Sequence, residues 1–198
     1  MIPDKNKLVI GITGTLLSGK GLVVDILKSK GFQHASMRSL IKEELEKNNL
    51  PPTRKNMQDM GNDMRKKYGT HYWVQKGLEK YQSYTAPLII ESLRNMGEVD
   101  FLKEHSRFFL IGVDAPFEER WERIKKRNVD ADLIDHDRFV IDDARDRGFN
   151  EPLNGQQVGM CLVHADFLIN NDETITGPIE NSKLYKDVNE IYRKVTKK

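Results

Sequence analysis

Short apolar runs alternate with segments of helical spacing along most of the chain. Five of these runs predict β-strands, since each is brief and bounded by polar or turn-forming residues; they are Leu8–Ile12, Phe32–Ser36, Pro87–Glu91, Phe108–Val113 and Phe167–Asn170. Strands that alternate with helices form a parallel sheet covered by helices on both faces. The pattern therefore predicts an α/β fold of three layers around a five-stranded parallel sheet.

The longest interruption of this alternation lies between the second and third strands. Residues 37–86 follow helical spacing, with breaks at Asn49-Leu50-Pro51-Pro52 and at Tyr68-Gly69-Thr70. An insert in this position lies at the carboxyl ends of the strands, where α/β proteins bind ligands. We expect one domain, with a core of residues 1–36 and 87–198, a helical insert at 37–86 and a short lid at about 128–138.

The first strand leads directly into the glycine-rich stretch GITGTLLSGKG. Gly14, Gly19 and Lys20 fit the pattern G-x-x-x-x-G-K of a phosphate-binding P-loop, and a helical pattern follows from Leu22 onward. Glycines let backbone N–H groups wrap a phosphate chain, and the lysine adds a mobile positive charge. The residues expected to bind nucleotide are Gly14, Thr15, Leu16, Leu17, Ser18, Gly19, Lys20, Gly21 and Leu22. The alternative is a glycine-rich turn with an exposed lysine.

The amino-acid composition excludes some classes of protein function. The chain has 198 residues, of which 38% are hydrophobic and 31% charged, and its formal net charge is +2. These values describe a single charged globular domain and do not favour a nucleic-acid partner. Cys161 is the sole cysteine, which excludes an internal disulfide, and no apolar run has the length of a membrane span. We expect a cytoplasmic protein, monomeric or homodimeric, with nucleotide substrates.

The P-loop ending in Gly-Lys-Gly, the helical insert and the stretch LIIESLRN together resemble the nucleoside monophosphate kinases of the adenylate kinase type. Within that group the chain is most similar to archaeal adenylate-kinase- or dephospho-CoA-kinase-like P-loop proteins. The stretches FFLIGVDAPFEERWERIKKR and GQQVGMCLVHADFLINN also resemble the P-loop domain fused to some deoxycytidylate deaminases. The zinc signature of the deaminases is absent from this sequence.

The resemblance implies roles for several residues. Glu91 stands where the kinases have an aspartate that organises Mg²⁺, Ser92 replaces their glycine, and Arg94 matches the arginine that grips the acceptor phosphate. Gly21 matches a glycine of that kinase class, whereas Leu22 replaces a threonine that contacts phosphate. A capping or ion-paired acid is the alternative for Glu91, and a surface arginine is the alternative for Arg94.

The resemblance also implies charged residues around both substrates. Arg123 corresponds to the arginine that stacks on the donor base, and Arg127, Arg138 and Arg145 correspond to the catalytic arginines at the lid. Arg38 and Lys42 fall where a helix carries a basic residue for the acceptor phosphate, with a solvated helix face as the alternative. Arg54 and Arg65 match less well. The alternative for the four lid arginines is surface ion pairing with Glu119, Glu122 and Asp142.

These observations predict a kinase that uses ATP and Mg²⁺ to phosphorylate a nucleoside or deoxynucleoside monophosphate. One alternative is a dephospho-CoA kinase, although the second strand ends in Ala35-Ser36-Met37 without the acid that would activate a hydroxyl. The other alternative is a regulatory NTPase that senses a nucleotide without phosphorylating one. No residue of the sequence identifies the acceptor's base or sugar.

Overall fold

The computed structural model describes residues 5–81, 86–127 and 135–197, with the side chain of Arg127 outside that description. The described chain contains five strands, all parallel, in the order β2-β3-β1-β4-β5. They are β1 (Leu8–Gly14), β2 (Gln33–Ser36), β3 (Leu88–Glu91), β4 (Arg107–Asp114) and β5 (Phe167–Asn170). The predicted fold class and the five predicted strands are confirmed.

Helices connect and cover these strands. Their bounds are α1 (Lys20–Lys28), α2 (Met37–Lys47), α3 (Arg54–Tyr68), α4 (Tyr72–Lys80), α5 (Met96–His105), α6 (Phe117–Arg127), α7 (His136–Arg147), α8 (Val158–Val163) and α9 (Lys183–Thr196). A short 3₁₀ turn at Ile179–Asn181 precedes α9. None of the helices within the described ranges is long and apolar enough to cross a membrane.

The sheet separates two hydrophobic clusters because successive strand residues point to opposite faces. On β1, Val9 belongs to the cluster that contains residues of α2, α4 and α5, whereas Ile10 belongs to the cluster beneath α1 and α9. Both side chains are fully buried. A central strand buried on both faces is what a nearly continuous apolar sequence produces in a parallel sheet.

The segment between β2 and β3 folds as the three helices α2, α3 and α4. Thr53 caps α3, since its hydroxyl oxygen accepts a hydrogen bond from the N–H of Asn56 at 3.2 Å. Gly69 ends α3 with φ of +105°, a conformation that favours glycine. The breaks therefore fall where proline and glycine are found in the sequence, and the helices lie beside the sheet edge at which β1 and β3 end.

Candidate functional site

The loop that follows β1 has a backbone shaped by its glycines. Gly14 has φ of +147° and Gly19 has φ of +99°, both in the region that favours glycine. A Cβ atom at Gly14 would lie 2.0 Å from the Val113 carbonyl oxygen of β4. The sequence GTLLSGKG therefore folds as a tight turn against β4, and α1 begins at Lys20, directly behind it. This is the strand, loop and helix context that a P-loop requires.

Lys20 is held at the mouth of this loop. Its Nζ donates hydrogen bonds to the carbonyl oxygens of Gly14 at 2.9 Å and Thr15 at 2.6 Å. Burial, and then the positive charge of Arg94, lower the pKa of Lys20 to about 7, although Glu91 and Asp146 act in the opposite direction. The lysine is therefore placed beside the loop with its charge only partly compensated, so an anion bound there would stabilise the protonated form.

Glu91 ends β3 and is paired with Ile12 of β1, so its carboxylate lies next to the loop. Ser92 donates a hydrogen bond to Glu91 Oε1 at 3.0 Å, and His34 Nε2 lies 3.5 Å from Oε2. Burial alone would raise the pKa of Glu91, but the hydrogen bond from His34, the charge of Lys20 and the Ser92 hydroxyl together lower it to about 2. Glu91 is ionised at neutral pH.

The residues around the loop fit a Mg²⁺ ion that is held mainly by the phosphates of a bound nucleotide. The described residues contain no group of three or more His, Cys, Asp or Glu side chains able to hold a metal ion. Mg²⁺ in kinase sites is held by one or two carboxylates together with substrate phosphates and water. An ionised Glu91 beside the loop fits that arrangement.

Ser92 shows why the resembling kinases have glycine at this place. Its φ is +71°, in the left-handed region, where a non-glycine residue is strained by about 1–2 kcal/mol. Its hydroxyl contact with Glu91 offsets part of that strain. After the turn that follows β3, Arg94 lines a cavity together with Arg38 and Arg54 of the helical insert.

An open cleft of about 570 Å³ lies over the loop, lined by Lys20, Leu22, Glu91, Arg123 and Asn171 among others. Arg123 donates hydrogen bonds to the carbonyl oxygens of Leu17 at 3.1 Å and Asn171 at 2.7 Å. Asn171 Nδ2 donates to the carbonyl oxygen of Ser18 at 2.8 Å. Arg123 and Asn171 therefore brace the loop from the far wall. The stacking of Arg123 on a nucleotide base stays a prediction.

A second cavity lies beyond Glu91 and has a volume of only about 20 Å³, room for about one water molecule. It is lined by Arg38, Ile41, Arg54, Met57, Gln58, Ser92, Arg94 and Gln156. Arg94 Nη1 lies 2.5 Å from Asp146 Oδ2, and Arg54 pairs with the same oxygen. The structure thus places Arg38, Arg94 and the less well matched Arg54 around one cavity, together with Asp146 and Gln156, which were not identified from the sequence.

Three further residues with predicted binding or catalytic roles lie outside the lining of the cleft and of the second cavity. Lys42 is 57% exposed and lies 3.7 Å from Glu46, on the outer face of α2. Arg145 pairs with Asp59 and Glu151, each at 2.7 Å, and so joins α7 to α3. Arg138 pairs with Asp142 at 3.2 Å and lines a surface depression next to Arg54. The binding roles of these residues stay predictions.

The predicted lid falls mostly outside the description. Residues 128–134 and the side chain of Arg127 lie outside the described residues, so the catalytic role of Arg127 stays a prediction. Arg65, a weaker match, is buried and donates from Nε to Glu98 Oε1 at 2.9 Å. That pair joins α3 to the start of α5.

One buried pair near the loop was not identified from the sequence. Arg120 forms two hydrogen bonds with Asp143, at 2.6 and 2.9 Å, and a third with the Ala115 carbonyl oxygen at 2.9 Å. Thr15 of the loop donates to Asp114 at 2.6 Å. These contacts fix α6 and α7 beside the loop. Their signal in the sequence is slight, because charged residues on two polar helices ordinarily indicate solvated surfaces.

Known proteins resemble this chain over most of its length. A family model described as an AAA domain matches residues 10–148. A UPF0200 protein of Methanothermobacter thermautotrophicus is 31% identical over 195 residues, covering 98% of this chain and 93% of the relative.

Two solved kinases share the fold. Shikimate kinase from Bacteroides thetaiotaomicron superposes with a TM-score of 0.56 at 11% identity, covering 95% of this chain and 98% of its own. Dephospho-CoA kinase from Campylobacter jejuni superposes with a TM-score of 0.52 at 16% identity, covering 95% and 96%. At such identities the likeness concerns the fold alone. The loop, the sheet order and the two sequence matches agree: the chain belongs to the AAA-domain family and is one of the UPF0200 proteins, with a P-loop kinase-like fold.

Proposed function

We propose that the protein transfers the γ-phosphoryl group of ATP to the phosphate group of a nucleoside or deoxynucleoside monophosphate. The observation that carries this proposal is the arginine-lined cavity placed directly beside the P-loop. Glu91 faces the loop and Arg94, three residues later, lines the cavity, so donor and acceptor would meet at one edge of the sheet.

The donor side needs an anion site and a counter-charge. The loop amides, the start of α1 and Lys20 would hold the β- and γ-phosphates. Glu91 would hold magnesium, which when bound to ATP neutralises charge on the phosphates. In the transfer, the bond from the γ-phosphorus to the bridging oxygen breaks, a bond to an oxygen of the acceptor phosphate forms, and ADP leaves.

A phosphate acceptor fits the cavity better than a hydroxyl acceptor, because a hydroxyl has to give up its proton. Two carboxylates lie at or next to the described residues of the cavity: Glu91, whose pKa is lowered to about 2, and Asp146, which is fully buried between two guanidinium groups. Burial would raise the pKa of Asp146, but Arg54 and Arg94 hold it well below the usual range. Such a group is a poor base. A phosphate oxygen needs no base, so positioning and charge suffice.

The residues of the cavity would do the positioning. Arg94 would bind the acceptor phosphate through its planar fork, and the helices of residues 37–86 would form the rest of the acceptor side. The arginines of α6 and α7 would surround the transferring group, and closure of the insert and the lid would exclude water.

The test is whether monophosphates stimulate ADP formation from ATP. We expect stimulation by at least one nucleoside or deoxynucleoside monophosphate, together with a loss in Arg94→Lys of roughly 10- to 150-fold in kcat/KM for that acceptor. ATP affinity should change little, because Lys20 and the loop amides are untouched. Arg193→Lys, on the exposed face of α9, is the matched control. If no monophosphate stimulates the wild type, the protein is a nucleotide-binding NTPase and the kinase proposal is wrong.

A further inference from the structure

Asp146 occupies an unusual position for a carboxylate. Its side chain is completely buried at the end of α7, where Oδ2 meets Arg54 and Arg94 and Oδ1 accepts a hydrogen bond from Gln58 at 2.8 Å. The two arginines come from α3 and from the turn after β3, so the carboxylate links its own helix, α7, to two other elements. Two guanidinium groups placed side by side repel each other unless an anion lies between them.

Arg54 is the less compensated of the two arginines. Its side chain is only 9% exposed, and its buried Nε has no hydrogen-bond partner among the described residues. Burial is the largest influence on its pKa and lowers it, whereas burial of Arg94 is outweighed by Asp146, so that its pKa is raised. Arg54 is also the first residue of α3, whose N-terminus carries a positive partial charge. An additional anion would stabilise the charged form of a buried arginine at this place more than a water molecule would.

The cavity wall has an excess of positive charge. Arg38, Arg54 and Arg94 line it, with Asp146 as their buried counter-charge, so three positive charges stand against one negative charge. Glu91 and Glu98 also act on Arg94 and compensate part of this excess, and the positive charge that is left favours an anion such as a phosphate monoester. Gln156 completes the wall, with Oε1 3.5 Å from Arg94 Nη1.

We infer that Arg54 is a further binding residue for the acceptor phosphate, and that Asp146 is a positioning residue that holds Arg54 and Arg94 together at the cavity. This inference rests on the proposed function and names residues of its acceptor site. Asp146 Oδ2 contacts one nitrogen of each guanidinium group, and the buried, unpartnered Nε–H of Arg54 would meet a phosphate oxygen once the cavity widens to admit the ligand.

The first experiment measures the binding of inorganic phosphate to protein saturated with ADP and Mg²⁺, so that the P-loop is already occupied. Arg54→Gln should weaken phosphate binding by about 10- to 150-fold, as expected for the loss of a charge-assisted contact. Lys55→Gln removes the same charge from the next residue, whose amine pairs with Asp59 at the surface, and should change the affinity by about twofold or less. Equal effects of the two substitutions would overturn the assignment of Arg54.

The second experiment asks whether Asp146→Asn strengthens or weakens phosphate binding. This substitution removes a negative charge, so simple electrostatics predicts tighter phosphate binding. Positioning predicts the reverse, about tenfold weaker binding, because the two arginines separate without their shared anion. Tighter binding by a folded Asp146→Asn protein would mean that Asp146 competes with the ligand and would overturn its positioning role.

A milder variant covers the case in which Asp146→Asn does not fold. Gln58→Leu keeps every charge of the cavity and removes the hydrogen bond that orients Asp146. We expect about threefold to tenfold weaker phosphate binding from the loss of one buried hydrogen bond. Unchanged affinity would overturn the role of Asp146.

Adenosine monophosphate and adenosine, titrated under the same conditions, distinguish a phosphate monoester from free phosphate. We expect the monophosphate alone to bind, and its binding to depend on Arg54. Because these measurements need no turnover, they separate two failures. If phosphate binding depends on Arg54 but no kinase activity is found, only the proposed function is wrong. If kinase activity is found but does not depend on Arg54, only this inference is wrong.

Discussion

The P-loop and the arginine-lined cavity, which we propose as two anion sites, are built on opposite principles. The loop is formed by consecutive residues after β1, and its shape comes from backbone conformations that glycine permits. The cavity is formed by side chains of α2, α3, α7 and the loops after β3 and before α8, held by buried ion pairs. A backbone site is therefore vulnerable to added volume, whereas a side-chain site is vulnerable to altered charge.

Lys20 is the one residue proposed to act in the loop through a charged side chain rather than through its backbone. Its removal should have the largest effect of the substitutions considered for this site. Lys20→Ala should lower kcat on the order of 10²-fold or more, since one preorganised charged contact to the transferring phosphates is lost. ADP formation measures the effect, and thermal unfolding serves as the control for an intact fold. Turnover at the wild-type rate would contradict the assignment of the P-loop.

Gly14→Ala adds one methyl group and should break the loop without changing any charge. The new Cβ would lie 2.0 Å from a carbonyl oxygen of β4, so we expect a destabilisation of about 1–3 kcal/mol and a loss of ATP affinity. Urea unfolding and ATP titration measure the two effects. Gly177→Ala, where an added Cβ meets nothing within 4 Å, is the matched control. A stable Gly14→Ala protein with normal ATP affinity would mean that backbone shape does not limit this site.

Glu91 stands between the two regions, and its charge can be removed with its shape retained. Glu91→Gln should lower kcat by about tenfold and shift the magnesium optimum upward, because one carboxylate for the metal is lost. Glu91→Asp should be better tolerated. Initial rates at varied magnesium concentration measure the shift, and an unchanged magnesium profile in Glu91→Gln would make Glu91 a structural acid.

The two regions should also differ in their response to pH. The pKa of Lys20 is lowered to about 7 in the free protein, and a bound polyphosphate raises it, so ATP binding takes up protons and ATP affinity falls as pH rises above 7. The pKa of Asp146 lies far below this range, so sulfate binding to the cavity should not vary between about pH 6 and 9. Calorimetry in buffers of different ionisation enthalpy measures the proton uptake. ATP binding without proton uptake at pH 8 would contradict the first expectation.

The same contrast explains how much the sequence could reveal. The loop was predictable because its residues are adjacent and their spacing is itself the signal, and Arg94 was predictable because it follows Glu91 by three residues. Arg54 carries only a weak resemblance and Asp146 carries no signal, since each is one charge on a highly charged helix. Their roles depend on the 91 residues between them folding so that α3 and α7 meet at the same cavity.

Helix register explains why neighbouring basic residues have different surroundings. Lys42 and Arg38 lie on the same helix and both are exposed, yet Arg38 lines the cavity whereas Lys42 pairs with Glu46. Residues four apart on a helix share a face only approximately, so the tilt of α2 against the sheet decides which of them reaches the cavity. That tilt is a property of tertiary packing, which a single sequence does not state.

The last turns of α7 place limits on how related chains can change in length. Asp143 reaches Arg120 beside the loop, Arg145 reaches α3, and Asp146 reaches the cavity, all within four consecutive residues. One residue inserted earlier in the helix rotates everything after it by about 100° and removes all three contacts at once. Evolution can therefore replace residues along α7 one at a time, but between His136 and Asp143 it has almost no freedom to insert or delete them.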